Sequence, residues 1–350
     1  MSSGSGKAAA WGRLVRLSSL AILAALLPGS RSWPARPVAC RQQNTAGAAS
    51  RPEGRQGSPY ILHSNVNLVV LHATVRDRQG RRVDNLAEND FRVYEDGVLQ
   101  KLAVFSHADI PVTIGIVIDD SGSMRNERPA VNAAAWTFVK TSNPADQVFV
   151  VTFNTAYQID TPGAFATNRE QLRAALEDIN SGGGTAVYDA IYASLDHLKL
   201  GNRDKKALLV ISDGDDNASA HTFAQLLWRA ARSSAAIYAI GLDEGSDDSG
   251  GGAGQTGVEG STYANEVLTK LAQTTGGRAF FPNSLAQVDS VCRGIASAIR
   301  DQYTLGYYPS GVAAAGTFRR VRVEAFSPTT NQPLAVATKP GYYTAPSKPR

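Results

Sequence analysis

Hydrophobic and polar positions divide this chain into regions with different periodicities. Between Pro111 and Asp301, continuous apolar runs alternate with stretches in which apolar residues recur at helical spacing. The apolar runs predict strands buried on both faces, and the periodic stretches predict amphipathic helices. Strands and helices in this alternation predict an α/β fold with a doubly wound, mostly parallel sheet.

The clearest predicted strand is the β-branched run that begins at Val112 and stops at the paired acids Asp119 and Asp120. In the last predicted helix, the buried stripe includes Leu285 and Cys292. The other predicted strands are Gln147–Phe153, Ala207–Ser212, Ala235–Leu242 and Arg278–Phe281. The predicted helices cover Pro129–Val139, Arg169–Ile179, Ala186–Leu200, Phe223–Ala231, Tyr263–Thr274 and Ser284–Asp301.

Strand-like segments also flank the α/β region on both sides. They are Val66–Val75, Asp90–Tyr94 and Leu99–Phe105 before it, and Tyr303–Tyr308, Arg320–Ala325, Leu334–Thr338 and Gly341–Tyr343 after it. Asp96-Gly97 predicts a hairpin turn. Each flank offers too few strands for a core of its own. We therefore predict that residues 61–110 and 302–345 form one two-sheet β-sandwich of about seven strands, with the domain 111–301 inserted into it.

The first 32 residues have the pattern of a secretory signal peptide. Basic residues precede the apolar stretch Leu17–Leu27, and Ser30-Arg31-Ser32 places small residues where a signal peptidase needs them. We predict cleavage near Ser32, a secreted or periplasmic/cell-envelope protein, and no integral membrane span in the mature chain. An uncleaved anchor and lipidation at Cys40 stay open as alternatives. Residues 33–60 are predicted to be a disordered linker and 346–350 a polar tail.

Charge and cysteine content narrow the classes of partner. The formal net charge of +4 equals the contribution of Lys7, Arg13, Arg16 and Arg31 in the signal, so the remaining chain gives no electrostatic reason to bind nucleic acid. The two cysteines lie in unlike contexts, a polar linker for Cys40 and an apolar helical stripe for Cys292. Nothing in the sequence favours a disulfide between them.

Oxygen-bearing side chains follow the predicted buried strands. Asp119, Ser121 and Ser123 come directly after the first strand, Thr185 ends a glycine-rich loop, and Asp213 follows the strand 207–212. Ligands in open α/β sheets bind beyond the carboxyl ends of the strands, where these residues are expected to meet. Hydroxyl and carboxylate oxygens suit Mg²⁺ or a similar divalent cation.

This combination of segments resembles the metal-ion-dependent adhesion site of von Willebrand factor A domains. The resemblance covers Pro111–Asp301 and includes the pattern Asp-x-Ser-x-Ser at 119–123, Thr185 and Asp213. The flanks are similar to those of secreted bacterial A-domain proteins at 91–97 and 305–309. The resemblance implies hydroxyl ligands from Ser121, Ser123 and Thr185, and metal binding by Asp119 and Asp213 directly or through water.

The resemblance also implies a binding module and no enzymatic activity. The expected cofactor is Mg²⁺, with Mn²⁺ and Ca²⁺ open, and the expected partner is a protein whose Asp or Glu carboxylate completes the metal shell. One alternative is a Mg²⁺-dependent phosphotransfer hydrolase of the haloacid dehalogenase type with Asp119 as nucleophile. That class needs an acid where Ser121 stands. A structural envelope protein without bound metal is the other alternative. No Gly-x-Gly-x-x-Gly opens a helix after the first predicted strand, which argues against a dinucleotide site, and the chain lacks the Gly-x-Ser-x-Gly elbow of a serine hydrolase.

Overall fold

A computed structural model of the chain describes residues 68–177, 181–213, 215–242, 256–311 and 313–344. All of them belong to one compact unit, His63–Arg350. The predicted signal peptide, linker and tail, together with Cys40, lie outside the described residues. Where the structure describes helices, none has both the length and the apolar character that crossing a membrane requires.

A six-stranded sheet forms the centre of the α/β region. Its strands are β5 (Val112–Asp119), β6 (Gln147–Phe153), β7 (Tyr157–Ile159), β8 (Lys205–Ser212), β9 (Ala236–Gly241) and β10 (Arg278–Phe280). The order is β10-β9-β8-β5-β6-β7, and every pairing is parallel except that of β6 with β7. The sheet is therefore mixed. The short exposed edge strand β7 is not predicted by the sequence, because three residues are too few to show a hydrophobic period.

Helices cover this sheet and bury separate clusters of apolar side chains against it. They are α1 (Arg128–Thr141), α2 (Arg169–Glu177), α3 (Val187–His197), α4 (Phe223–Arg232), α5 (Thr256–Thr275) and α6 (Leu285–Arg300). Side chains of α1, α2 and α6 share one cluster with Ile114, Ile116 and Ile118 of β5. Those of α3, α4 and α5 share the other cluster with Val117. Alternate residues of β5 thus contact different clusters, as a strand buried on both faces requires.

Eight further strands, from both ends of the described chain, form a second sheet. They are β1 (Val69–Arg76), β2 (Phe91–Glu95), β3 (Val98–Gln100), β4 (Leu102–Ser106), β11 (Tyr303–Tyr307), β12 (Phe318–Phe326), β13 (Pro333–Ala337) and β14 (Gly341–Tyr343). The hydrogen-bonded order is β3-β2-β12-β13-β1-β11-β4, with β14 also paired to β12. The predicted turn at Asp96-Gly97 is present, and both residues have positive φ angles, 47° and 86°.

The structure does not confirm the predicted two-sheet sandwich, because hydrogen bonds join these strands into one sheet. The strands make one continuous path whose two end strands, β3 and β4, are consecutive in the chain and joined by Lys101. The sheet is thus partly closed on itself. Its two ends share one core, in which the Phe91 and Tyr303 rings lie 5.0 Å apart. The prediction of a single strand at Leu99–Phe105 is also wrong. The segment is divided into β3 and β4, because the chain crosses there from one end of the sheet to the other.

Two smaller expectations about helices also need correction. Leu285 is 37% exposed and is not part of the buried stripe, whereas Cys292 is fully buried there as a free thiol. Leu285 is the first residue of α6, so it lies at the end of the helix, where the stripe has less of the sheet to cover. The helix predicted at Ala186–Leu200 ends at His197 and continues as a single 3₁₀ turn.

Three side-chain donors lie where the α/β region meets the partly closed sheet, and two of them, Gln302 and Lys339, join the two. The Lys205 ammonium at the start of β8 donates to the carbonyl oxygen of Ile299 in the last turn of α6, at 2.9 Å. Gln302 Nε2, just before β11, donates to the Tyr238 hydroxyl of β9 at 3.0 Å. Lys339 Nζ, just before β14, donates to the carbonyl of Ser233 at the end of α4. Carbonyls at helix ends need such partners when they are buried.

A first prediction concerns Gly115 in the middle of β5. A Cβ atom there would lie 2.5 Å from Phe149 Cζ and 2.6 Å from Leu208 Cδ2, on the two neighbouring strands. Because overpacking in a closed core forces side chains from their rotamers, Gly115→Ala should lower the free energy of unfolding by about 1–3 kcal/mol in urea titration. Gly294→Ala in α6 is the control, because its Cβ would meet no atom within 4 Å. Equal unfolding midpoints for the two variants would contradict this packing.

A second prediction concerns His72 of β1, which contacts Thr304 Oγ1 at 3.2 Å beside the junction between the sheets. Burial, and then the charge of Lys205, lowers the pKa of His72 from 6.5 to about 4. Between these values the unfolded chain binds a proton that the folded chain does not, so this residue makes stability fall as pH decreases. In His72→Gln, the decrease in the free energy of unfolding between pH 6.5 and pH 4 should be smaller than in the parent by roughly 1–3 kcal/mol. Unfolding curves that shift equally with pH in both proteins would refute it.

Candidate functional site

The carboxyl end of β5 brings Asp119 to the edge of the six-stranded sheet. All eight residues of β5 are buried, and Asp119 itself is 0% exposed. Its Oδ1 accepts the backbone N–H of Ser121 at 2.9 Å, and its Oδ2 accepts the Ser212 hydroxyl at 2.6 Å. The first contact closes a tight turn of the Asx type after the strand. The second fixes the carboxylate against the end of β8.

Direct hydrogen bonds connect four of the five predicted ligands. The Ser121 and Ser123 hydroxyl oxygens are 3.0 Å apart, and the Ser123 hydroxyl donates to Asp213 Oδ2 at 2.6 Å. Together with the hydrogen bond from the Ser121 N–H to Asp119, these contacts form a continuous series from the end of β5 to the end of β8. Asp119, Ser121, Ser123 and Asp213 therefore lie together at one edge of the sheet.

Thr185 reaches this edge through its loop. The N–H of Gly122 donates to the carbonyl of Gly183 at 3.4 Å, which brings the glycine loop against the Asp119–Ser123 loop. Thr185 is buried, and its N–H donates to Asn217 Oδ1 at 2.8 Å. Within the described part of the chain, no hydrogen bond joins the Thr185 hydroxyl to the other four predicted ligands. Its loop places it beside them without a direct contact.

The glycines of this loop are required by close neighbours. Gly183 has φ +80°, and a Cβ there would lie 2.5 Å from the Thr155 hydroxyl oxygen. A Cβ on Gly184 would lie 2.6 Å from Asn217 Oδ1. Thr155 and Asn217 therefore support the loop from opposite sides. Sequence reasoning missed both residues, since neither belongs to a motif and only their spatial positions identify them.

Electrostatics at the site is unfavourable for two ionised carboxylates alone. Burial, and then the charge of Asp213, raises the pKa of Asp119 to about 6, against the opposing effect of hydrogen bonds from Ser121 and Ser212. Burial also raises the pKa of Asp213, which the Ser123 hydrogen bond partly offsets. Among the described residues, neither carboxylate has an ion-pair partner. A buried acid and a partly buried acid, with adjoining hydroxyls and no counter-charge, are a donor set that fits a divalent cation.

The donor set consists mainly of hydroxyl groups. In the described ranges, no cluster of three or more His, Cys, Asp or Glu side chains has an arrangement that could hold a metal. The candidate site has two acids, and its remaining oxygens come from serine and threonine. A hard cation with strong preference for oxygen can use such ligands, whereas a soft ion would need nitrogen or sulfur.

Sequence reasoning also missed the buried neighbour of the first loop. Asp120, next to Asp119, forms an ion pair with Arg128 at 3.1 Å, and the Arg128 side chain is 0% exposed. The Ser181 hydroxyl, at the start of the glycine loop, donates to the same Asp120 oxygen at 2.6 Å. The only signal in the sequence was the second acid of the Asp-Asp pair.

Comparisons with known proteins agree with the fold. Residues 114–215, which include all five predicted ligands, match the family model of the von Willebrand factor type A domain. No curated protein matches the chain.

Solved structures that are similar to this chain have low sequence identity. The von Willebrand factor type A protein from Catenulispora acidiphila is 14% identical, with a TM-score of 0.45, over 81% of this chain and 75% of that one. An aerotolerance-related membrane protein from Bacteroides fragilis is 18% identical, with a TM-score of 0.42, over 54% and 98%. Proximal thread matrix protein 1 from the mussel byssus, with a zinc-occupied MIDAS motif, is 19% identical, with a TM-score of 0.41, over 55% and 48%.

Proposed function

We propose, from the premise that residues 114–215 form a von Willebrand factor type A domain, that this chain is a metal-ion-dependent protein-binding module. The observation that supports the proposal best is the hydrogen-bonded set Asp119, Ser121, Ser123 and Asp213 at one edge of the sheet. It combines the buried carboxylate of Asp119 and the partly buried carboxylate of Asp213 with two hydroxyls, and neither carboxylate has an ion-pair partner among the described residues. A divalent cation supplies the positive charge that this set lacks.

Mg²⁺ is the proposed ion, with Mn²⁺ and Ca²⁺ as alternatives. Ser121, Ser123 and Thr185 would bind it through hydroxyl oxygens. Asp119 and Asp213 would bind it directly or through water. Mg²⁺ tolerates few protein ligands because it keeps several waters in an octahedral shell. An exchangeable water position leaves room for an incoming ligand.

The partner is proposed to be a protein that offers an Asp or Glu carboxylate to the bound ion. Neutral hydroxyls do not offset the charge of the cation, so the ion keeps its attraction for an additional anionic oxygen. The carboxylate of a partner would therefore complete the shell, and the metal would be part of the interface. The charge of the chain outside residues 1–32 gives no support for nucleic acid as the partner.

The proposed setting is outside the cytoplasm, as a secreted or envelope protein with a signal peptide cleaved near Ser32. The proposed domain limits are 111–301 for the metal-binding domain, with a doubly wound sheet. Residues 61–110 and 302–345 are proposed to form the supporting β domain. The pairing of β1 with β11, and of β2 with β12, supports this division, because both pairs join the two chain segments.

Phosphotransfer with Asp119 as nucleophile is the alternative, and the contacts of the lysines on β8 argue against it. Such chemistry needs a cation near the phosphoryl group. Lys205 and Lys206 lie at the start of β8, at the opposite end of the strand from Asp213, and donate to the carbonyls of Ile299 and Leu198. Two histidines of this region are also engaged, His221 with Asp189 and His197 with the carbonyl of Ala164.

The metal-binding prediction is tested with Asp119→Ala. We expect the affinity for Mg²⁺, measured by calorimetric titration, to fall by at least about tenfold, because a buried charged ligand is lost. Partner capture from an envelope extract should also lose its dependence on Mg²⁺, while the far-UV circular dichroism spectrum stays that of the parent.

Asp146→Ala is the matched control for this variant. Asp146 is a carboxylate at the other end of β5, where it accepts the N–H of Val112 at 2.7 Å, and burial likewise raises its pKa to about 6. Its loss should reduce stability and leave the affinity for Mg²⁺ unchanged. Partner binding that persists in a chelator would refute the mechanism.

The enzyme alternative is tested by hydrolysis of a generic phosphate ester. We expect no turnover above buffer with Mg²⁺, because the site has no acid at position 121 and, among the described residues, no lysine beside it to stabilise the transferred group. Turnover by the parent that requires Mg²⁺ and disappears in Asp119→Asn would favour the enzyme.

A further inference from the structure

Asp120 joins four segments of the chain although it is not a predicted ligand. Its N–H donates to the carbonyl of Phe153 on β6 at 2.7 Å, and its own carbonyl accepts the N–H of Gly182 at 3.0 Å. Its Oδ1 accepts the Ser181 hydroxyl at 2.6 Å and Arg128 Nε at 3.1 Å. The residue is 3% exposed. The loop of Asp119, the glycine loop, β6 and the start of α1 therefore meet at one side chain.

The ion pair between Asp120 and Arg128 is a poor source of stability. Both side chains are almost completely removed from water, and desolvation offsets most of their attraction. Arg128 NH1 donates to Asn132 Oδ1, but the buried NH2 has no hydrogen-bond partner. An unpartnered buried donor adds a further cost. What the pair does supply is a fixed position for the Asp120 carboxylate, because the guanidinium is held at two points.

The fixed carboxylate in turn holds the start of the glycine loop. Ser181 and Gly182 bind the side chain and the backbone of Asp120 respectively. Thr185 follows in the same loop, and its far side is held by Asn217. The loop is therefore fixed at both ends, and the Asp120 contacts form the end that faces the Asp119–Ser123 loop. Without them, two long hydrogen bonds of the described residues would remain between these segments, from the Gly122 N–H to the Gly183 carbonyl at 3.4 Å and from Arg125 to the Ser181 carbonyl at 3.3 Å.

We propose that Asp120, Arg128 and Ser181 form a positioning unit that sets the distance between the Asp119–Ser123 loop and Thr185. This unit contributes no metal ligand. It reduces the conformational freedom that the two loops would lose on binding a cation, and so raises the affinity through preorganisation. The inference rests on the proposed function, because it concerns the same cation site.

Ser181→Ala is the most selective test of this unit. It removes the hydrogen bond of the Ser181 hydroxyl to Asp120, keeps the backbone hydrogen bond of Gly182 to Asp120, leaves the buried Asp120–Arg128 pair intact and creates no uncompensated charge. Because Asn217 still holds the other end of the loop, we expect a moderate effect. The dissociation constant for Mg²⁺ in calorimetric titration should rise by about three- to tenfold. The melting temperature in chelator should stay that of the parent.

Ser297→Ala is a matched control at the opposite end of the sheet. Ser297 is also half-buried and donates to an aspartate, Asp301 Oδ2, at 3.0 Å. That aspartate is also paired with an arginine, Arg82, at 2.7 Å. The variant therefore removes a serine–aspartate hydrogen bond of the same kind, far from the predicted ligands, from a triad whose Arg82 and Asp301 side chains are more exposed, at 34% and 41%. It should leave the affinity for Mg²⁺ unchanged.

The outcomes separate this inference from the proposed function. A parent protein that binds no divalent cation would overturn the proposed function and the inference with it. A parent that binds Mg²⁺, with Ser181→Ala binding equally well, would overturn the inference alone. Equal losses of affinity in Ser181→Ala and Ser297→Ala would also overturn it, because they would indicate general destabilisation. Loss of affinity confined to Ser181→Ala, without a change in melting temperature, would support it.

Discussion

The complete burial of β5 is the constraint on which the rest of the α/β region depends. Each of its aliphatic side chains contributes roughly 1.5–3 kcal/mol by leaving water, and both faces must be covered for this to happen. Polar groups can therefore occur only at its two ends. Asp146 accepts the N–H of Val112 at one end, and Asp119 stands at the other. The same rule holds for β8, which begins with the buried Lys205 and is followed by Asp213.

The unfavourable electrostatic energy of this arrangement is concentrated at the carboxyl ends of β5 and β8. Asp119 and Asp213 repel each other where little water is available to screen them. The backbone N–H of Ser121 and the hydroxyls of Ser123 and Ser212 donate hydrogen bonds that offset part of that repulsion without adding charge. A site of this kind is less stable without a cation than with one, so binding and folding stability are linked. This link is a common property of sites whose geometry is selected for binding and not for stability.

The opposite edge of the sheet meets the partly closed β sheet, and the physical problem there is different. Helices α4 and α6 end at this edge, and their last carbonyls need donors in a buried junction. Lys339 and Lys205 supply them, and Gln302 adds a bond to Tyr238. The strands before and after the α/β region pair with each other, so the two chain segments meet beyond this junction. One edge is therefore available to a ligand while the other is occupied by the protein itself.

The sequence alone determined the features that depend on local pattern. Continuous apolar runs predicted the buried strands, helical spacing predicted the helices, and Asp96-Gly97 predicted the hairpin turn. The ends of those strands also indicated the positions of Asp119 and Asp213. These features follow from burial and backbone geometry within a few residues, which is information that the chain carries locally.

Only the tertiary structure decided the features that depend on distant contacts. The partial closure of the β sheet arises because β3 and β4 occupy opposite ends of one strand order, and no local period encodes strand order. The buried pair of Asp120 and Arg128, its link to Ser181, and the support of Thr185 by Asn217 each join residues from different elements. Polar side chains are predicted to be exposed from sequence alone, because most of them are. Their burial can be identified only in the folded structure, where their partners are brought together.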